Sequence, residues 1–405
     1  MMIGAWGLCR QQAIMMENIT TSPLPPFNSP QIQELCSSNF SDHSSAYNII
    51  LEAENYANQQ SQEDIMFARV AGFLLLEFHS RSHIFGHLPC TSLVRRVTSQ
   101  SSSKNQHDVV FHVGKLYCDS FICLFRTFDA TTSSYSPPYS HPSCSSFNTL
   151  EEMIKDTMEA TAMDYQTLGR KALARDGCQC LVTGLLDLGA LDGCAELRAM
   201  AKCKGKAGVQ IEAAHILNAS TIQCIDPTLP TGEDSVVQTQ HAADTMAILE
   251  SFGFSEFTKA FKQSGGIHQV WNLLSLQHDI NYNFGKLDMW FESTDQLGHY
   301  ELVIDEPHKS FIHGLQRTPD DGAPIIVNFP SYGAEVPPPS PGLLALHATC
   351  ARVAHMSGAA EFFYQLEEDI EDSMQVDVEE YASPCFHGSS VHTLSNMLSS
   401  FEIND

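Results

Sequence analysis

The chain has 405 residues with 48 acidic and 22 basic side chains, which gives a formal net charge of −26 at neutral pH. This acidity argues against loose binding of nucleic acid over the whole surface, because non-specific affinity comes from basic groups that release counterions. A local basic patch is still possible. The length and the hydrophobic fraction of 43% allow a sizeable core and two or more folded units.

No targeting or membrane segment is predicted. The first twenty or so residues contain no continuous apolar stretch, and the longest apolar run, Val70 to Leu76, is too short to cross a bilayer. The 13 cysteines show no framework spacing, which is typical of reduced thiols. Cys178 and Cys180 lack the paired spacing of zinc ligands, and no second pair follows at a suitable distance. We therefore expect an intracellular chain, in the nucleus or cytoplasm, without structural zinc and not secreted.

The N-terminal part is predicted to hold a disordered segment and a small α/β region. Residues 1–45 are rich in Ser, Pro and Asn, which favours partial disorder. The region over residues 46–126 should begin with a helix over 46–59, whereas residues 65–78 fit either a helix or a buried strand. Asp108 to Arg126 is predicted to form a β-hairpin, because β-branched and aromatic residues flank a Gly-Lys turn.

A second domain is predicted over residues 148–310, after a Ser/Pro-rich linker at 127–147. It should open with a helix, continuous or with a break, that extends to Arg175 and has a capping residue and acidic side chains at its start. Further elements predicted in this domain are a helix over 242–261 and strands over 287–291 and 300–304.

The C-terminal part is predicted to form a spacer, a helix and an acidic tail. Residues 311–342 form a loop with a stiff proline-rich end. A helix is expected over 343–363, interrupted at Ser357-Gly358. Residues 364–405 contain acidic runs and no Lys or Arg, which favours a solvated, mobile tail.

Three short motifs carry the functional prediction. Ile211 to Leu217 is typical of a short apolar strand that bears a histidine, His215, near its far end. Trp271 to Leu276 is typical of a second strand opened by Asn272. Asn281 follows nine positions after Asn272.

This order resembles the HNH, or ββα-metal, nuclease family in the form found in fungal proteins. The resemblance implies an α+β fold with a ββα-metal core, a helical insertion, a small α/β region before it, and a helix and acidic tail after it. It also implies a metal-dependent endonuclease in which His215 is the general base, Asn272 braces the loop between the strands, and Asn281 binds a divalent ion. The similar segments are Arg175 to Gly184, Glu212 to Leu217, Asn272 to Glu292 and Leu346 to Glu361, with a looser likeness at Asp108 to Arg126.

The expected cofactor is Mg²⁺ or Mn²⁺, since an amide oxygen is a hard, neutral ligand. One departure from the family concerns the position before the base, which usually carries an acidic or histidine ligand and here is Ala214. Glu212, His278 and Asp279 are candidates to replace that ligand. The alternative for His215 is the commoner role of a packed, hydrogen-bonded histidine, and Asn281 could equally cap a turn.

The expected partner is nucleic acid, DNA rather than RNA. A basic run upstream of the first strand could bind the phosphate backbone, although such runs are usually solvated loops; it comprises Arg198, Lys202, Lys204 and Lys206. The acidic tail could occupy this run and restrain binding. The competing hypothesis is a catalytically degenerate HNH fold that serves as a binding or protein-interaction module. It is motivated by Ala214, Asn281 and the overall acidity.

Overall fold

A computed structural model describes residues 21–37, 41–99, 105–127, 147–218, 243–305, 324–329 and 336–380. These residues form an α+β structure with many helices and three small sheets. The chain divides into two compact units, one within residues 1–118, 304–309 and 349–365, the other within 119–303, 310–348 and 366–405. Within the described part of the chain, no helix is both long and apolar enough to span a membrane.

The described helices before residue 118 belong to the first unit. They are α1 (Pro30–Ser37), α2 (Ser41–Ala57), α3 (Gln62–Ser80), α4 (Ser82–Phe85), α5 (Leu88–Thr98) and α6 (Gln106–Tyr117). The segment 65–78 is therefore helical, and the Ser61 hydroxyl caps α3 by accepting a hydrogen bond from the Asp64 amide. The disorder expected over residues 1–45 is wrong for α1 and for the start of α2, while residues 1–20 lie outside the described part.

The hairpin predicted over residues 108–126 is wrong, because most of that segment is helix α6. Val110, Val113 and Tyr117 are buried at helical spacing and pack into this unit. Gly114 was interpreted as a turn residue, but it permits a close helix contact, since a Cβ there would collide with the backbone of Phe67. Tertiary packing therefore overrides the β propensity of this segment.

The second unit contains most of the remaining elements. They are α7 (Leu150–Glu159), α8 (Tyr165–Arg175), β1 (Leu186–Asp187), α9 (Leu188–Gly193), α10 (Ala195–Lys204), β2 (Gly208–Val209), β3 (Ile211–His215), α11 (243–251), α12 (Ser255–Phe261), β4 (Leu273–Gln277), α13 (His278–Gly285), β5 (Met289–Ser293), β6 (His299–Ile304) and β7 (Ile325–Asn328). The capping residue expected at its start is Thr149, which forms a capping box with Glu152. The predicted strands at 287–291 and 300–304 are present as β5 and β6. Of the linker at 127–147, residues 128–146 lie outside the described part.

Strands β3 and β4 pair antiparallel, with Ile211 opposite Gln277 and His215 opposite Leu273. Because side chains alternate along a strand, Ala213 and His215 lie on one face of the pair, and Glu212 and Ala214 on the other. The first face packs against α8, where residues such as Leu168 join Ala213 in one apolar cluster. The helix α13 follows β4 directly, so the order of elements is strand, strand, helix.

The C-terminal part differs from the expected helix and tail. Two helices, α14 (Pro341–Ser357) and α15 (Ala359–Glu380), meet at Gly358, whose φ of 91° suits the predicted interruption. The acidic segment is helical well beyond residue 363, so a solvated tail from residue 364 is wrong for this stretch. Its Glu367 carboxylate accepts hydrogen bonds from Arg126 at 3.2 Å and Lys286 at 2.8 Å. Residues 381–405 lie outside the described part.

Candidate active site

The Asn272 side chain joins two loops of the candidate site. It is fully buried at the start of β4, and its Oδ1 accepts a hydrogen bond from the Leu217 amide at 2.9 Å. Its Nδ2 donates to the carbonyl oxygens of Leu217 at 3.2 Å and Ile267 at 2.9 Å. One amide therefore holds both the loop that follows His215 and the turn that carries His268.

The His215 imidazole lies in an aromatic setting at the end of β3. Its Nε2 is 2.9 Å from Nδ1 of His268, and its ring stacks on Tyr165 with centroids 5.2 Å apart. The Tyr165 hydroxyl donates to the Ala213 carbonyl at 2.9 Å, which holds the tyrosine ring against the strand. The residue keeps some solvent contact although its ring is enclosed, and burial, followed by the neighbouring His268, lowers the pKa of His215 to about 3.

A second group of polar side chains surrounds Glu212. The Asn281 Nδ2 donates to Glu212 Oε2 at 2.6 Å, and Nδ1 of His278 lies 3.0 Å from Glu212 Oε1. His278 and Asn281 are three positions apart on α13, so both reach the same side of that helix. Three of the four predicted metal-binding residues are thus brought together. We name Glu212, His278 and Asn281 the Glu212 cluster.

Asp279, the fourth predicted ligand, points elsewhere. Its Oδ1 accepts hydrogen bonds from Gln277 at 2.6 Å and from the Ile280 amide at 3.1 Å, so it fixes the start of α13. Ala214 is buried at 2% exposure. A carboxylate introduced at that position would be desolvated, so an Ala214→Asp variant would lose stability and is a poor test of metal affinity.

His215 and Asn281, which we expected to face one cleft, have separate hydrogen-bond partners, His268 and Glu212. Glu212, which binds Asn281, is three residues before His215 on the same strand, and an odd separation places the two side chains on opposite faces. Along the strand, three residues span about 10 Å. The imidazole therefore lies on the α8 face, whereas Asn281 is tied to a carboxylate on the other.

Two side chains in the basic run form hydrogen bonds with backbone carbonyls. Arg198 donates to the carbonyls of Leu191 at 2.8 Å and Asp192 at 2.6 Å, and Lys206 donates to the Gly184 carbonyl at 2.8 Å. Lys202 and Lys204 are exposed in the last turn of α10, where positive charge stabilises the helix dipole.

Two residues of the site, Tyr165 and His268, were missed by the sequence analysis. Tyr165 lies 50 positions before His215 in the sequence, and His268 lies 53 positions after it. Neither belongs to a strand motif, since Tyr165 begins a helix and His268 ends a short turn after Gly265-Gly266. A usable signal was the proximity of His268 to Asn272, four positions later, because the asparagine brace also fixes the turn between them.

Two histidines with lowered pKa values predict a specific pH dependence of stability. Burial also lowers the pKa of His347 to about 3, and its ring stacks on Phe284 with centroids 3.8 Å apart. The unfolded chain takes up these protons near pH 6.5, whereas the folded chain takes them up near pH 3. Their neutral forms therefore support the folded state fully above pH 6.5, and this support is lost as the pH falls toward 3.

We expect the free energy of unfolding to fall with a limiting slope of about 1.4 kcal/mol per pH unit for each histidine. Urea denaturation at pH 7.5, 6.0 and 5.0 measures this slope. A His347→Gln variant should show a smaller slope than the natural chain, since carboxylate contributions are common to both. Equal slopes would contradict the assignment of His347 as a buried neutral group.

The chemistry available at the site follows from its donors. His215 can accept a proton as a neutral imidazole. The Glu212 cluster offers a carboxylate, an imidazole and an amide as metal ligands. Within the described ranges, no cluster of three or more His, Cys, Asp or Glu side chains is arranged to hold a metal ion. No family model matches this chain, and neither a curated protein nor a solved structure matches it.

Proposed function

We propose that this chain is a metal-dependent endonuclease of the HNH type, which hydrolyses phosphodiester bonds of DNA with His215 as the general base. The observation that carries the proposal is the buried Asn272 brace. It fixes the loop after a strand-terminal histidine to the start of the paired strand, and a helix follows that strand directly. This is the arrangement expected for the HNH motif.

The imidazole of His215 would take a proton from the attacking water. Its lowered pKa keeps it neutral at pH 7, so a lone pair is present, although a base with a low pKa is also a weaker proton acceptor. A bound divalent ion would supply charge stabilisation at the phosphate. The work left to the protein is to hold the base, to orient the substrate and to limit access of bulk water.

The Glu212 cluster fits a hard divalent ion. Mg²⁺ commonly uses one or two carboxylates and keeps several waters, and Mn²⁺ also accepts imidazole. Glu212 supplies the carboxylate, and rotation of the Asn281 amide about its last torsion would present an oxygen in place of its nitrogen. The side chain of Glu212 is 30% exposed, which leaves room for water and a phosphate.

A second candidate function is favoured by one observation, the separate hydrogen bonds of His215 to His268 and of Asn281 to Glu212. An HNH fold whose base is already hydrogen-bonded to His268 and stacked on Tyr165 could serve as a binding module without catalysis. In that case the acidic surface would select a basic partner protein rather than nucleic acid.

A cleavage assay with the full chain distinguishes the two functions. We expect nicking of supercoiled plasmid with Mn²⁺ or Mg²⁺, weaker cleavage of RNA, and none with EDTA. His215→Ala should reduce the rate by about 10²- to 10⁴-fold, the usual contribution of a general base. His299→Ala is the matched control, because His299 is half-buried on β6 outside the proposed machinery, and it should retain full activity.

Absence of cleavage by the folded natural chain with either ion would overturn the nuclease proposal and favour the binding module. Equal activity of the His215→Ala and His299→Ala variants would remove His215 from the mechanism.

A further inference from the structure

The contact between His215 and His268 is a direct hydrogen bond. Their facing nitrogens are 2.9 Å apart, and their ring centroids are 5.1 Å apart. When two imidazole rings point their nitrogens at each other, their centroids are farther apart than those nitrogens by two ring radii, the width of one ring. The observed difference is close to this width, so the two nitrogens point at each other. A shared metal ion would instead need both lone pairs to converge on a point beside that line. The geometry therefore fits one shared proton.

The position of the proton follows from the tautomers. If Nε2–H of His215 donates to Nδ1 of His268, both neutral rings can carry their proton on Nε2, the more stable form of a free histidine side chain. The reverse direction would place both rings in the Nδ1–H form. In the first case Nδ1 of His215 keeps its lone pair, which a general base requires; in the second it does not.

The two rings are held by separate contacts. Tyr165 stacks on His215 and also lies against His268, with centroids 5.1 Å apart. Asn272 fixes the backbone on both sides through Leu217 and Ile267. Both rings are neutral near pH 7, since burial lowers the pKa of each. The titratable group in contact with both rings is Tyr165, whose pKa is raised by burial and, next, by the charge of Glu212.

We propose that His268 is a positioning residue that holds His215 in the Nε2–H tautomer and receives its proton during the reaction. The proposal rests on the function proposed for His215 as the base. Nδ1 of His215 accepts a proton from water as the water oxygen bonds to phosphorus. The Nε2 proton of His215 then passes to Nδ1 of His268, and His268 releases its own Nε2 proton to solvent.

The rest of the step balances without another reactant. The bond from phosphorus to the leaving oxygen breaks, and that oxygen departs with the electron pair and takes a proton from solvent. His268 is only partly buried, which gives the released proton a route to bulk water. The two histidines return to their starting tautomers by transfer of protons back through solvent.

Nitrogen NMR of the full chain labelled at histidine tests the tautomer without any activity. We expect His215 to show a protonated Nε2 and an unprotonated Nδ1 at pH 7. His268→Ala should give a mixture of tautomers. His268→Asn should keep the Nε2–H form, because the Asn oxygen can occupy the place of the lost Nδ1 and accept the hydrogen bond.

Kinetics separate positioning from proton transfer. His268→Ala should lower kcat by at least about tenfold, as expected when a catalytic histidine loses the group that selects its tautomer. It should also raise the apparent pKa of kcat/KM, because a neighbouring imidazole is removed. His268→Asn should recover part of the rate but not all of it, since an amide cannot pass the proton on. His299→Ala serves as the control for both measurements.

A protonated Nδ1 on His215 in the natural chain would overturn the proposal, and so would a His268→Ala variant with unchanged tautomer and pH profile. If the natural chain shows the expected tautomer but cleaves nothing, the nuclease function fails while the tautomer assignment stands, and the proton transfer is then refuted.

Discussion

Replacement of Arg175 by methionine is expected to lower the free energy of unfolding by about 3–5 kcal/mol, the usual cost of breaking a buried ion pair. The Arg175 side chain is 1% exposed and binds both carboxylate oxygens of Asp176, at 2.7 Å and 2.8 Å. Its remaining N–H groups donate to the carbonyls of Val270 and Leu273, both at 2.8 Å. Methionine would leave a buried carboxylate and these carbonyls without their partner.

Urea denaturation of the full chain, followed by tryptophan fluorescence, measures this loss. Arg170→Met on the same helix is the matched control and should change stability by less than about 1 kcal/mol, because Arg170 is half-exposed. The double variant Arg175→Met with Asp176→Asn should recover part of the loss, since it removes the buried charge while leaving an acceptor for the Ser275 amide. A loss no larger than that of the control would show that the pair is not structural.

The Arg-Asp-Gly segment illustrates what the sequence could and could not predict. It was interpreted as the entry to a nuclease domain, and in the structure it forms the end of α8 and the turn after it. Its observed contacts, however, hold the turn before β4 to the end of α8. A charged pair in a sequence can be predicted to be buried only when its hydrogen-bond partners are known. Two partners of Arg175 are backbone carbonyls about a hundred positions away.

Local sequence patterns were sufficient to predict a helix or strand where they agreed with the tertiary packing. The strands at β3 and β4, the helix after them and the break at Gly358 were all predicted. The segment at Asp108 to Arg126 failed because its β-branched residues occupy a helix whose glycine touches Phe67, a contact 47 positions distant in sequence. Propensity describes single segments, whereas that contact depends on the whole unit.

For the site, spacing predicted the brace better than it predicted the pairing of side chains. Asn272 makes the backbone hydrogen bonds that the motif implies. The hydrogen bond between His215 and His268 was not predicted, because side-chain direction depends on strand register, and a shift of one residue reverses every side chain. His268 escaped notice because it lies 53 positions after His215 and belongs to neither strand motif.

The second large effect is expected at Asn272. Asn272→Ala should lower the free energy of unfolding by about 3–5 kcal/mol, because a lost partner costs roughly 1–3 kcal/mol for each buried polar group left unsatisfied. The groups concerned are the amide and carbonyl of Leu217 and the carbonyl of Ile267. Asn272→Asp should also be destabilising, since its carboxylate would face two carbonyl oxygens and could accept from the Leu217 amide alone.

Asn281→Ala is the matched control for this prediction, because Asn281 is partly exposed and its Nδ2 donates to Glu212. We expect it to lose no more than about 1 kcal/mol. Hydrogen exchange should then show faster exchange at the Leu217 amide in the Asn272→Ala variant than in the Asn281→Ala variant. The Asn272→Ala variant should also separate His215 from His268. The mixture of His215 tautomers in its NMR spectrum should therefore match that of His268→Ala. If Asn272→Ala is as stable as the control and leaves the Leu217 amide protected, the brace is not what aligns the two histidines.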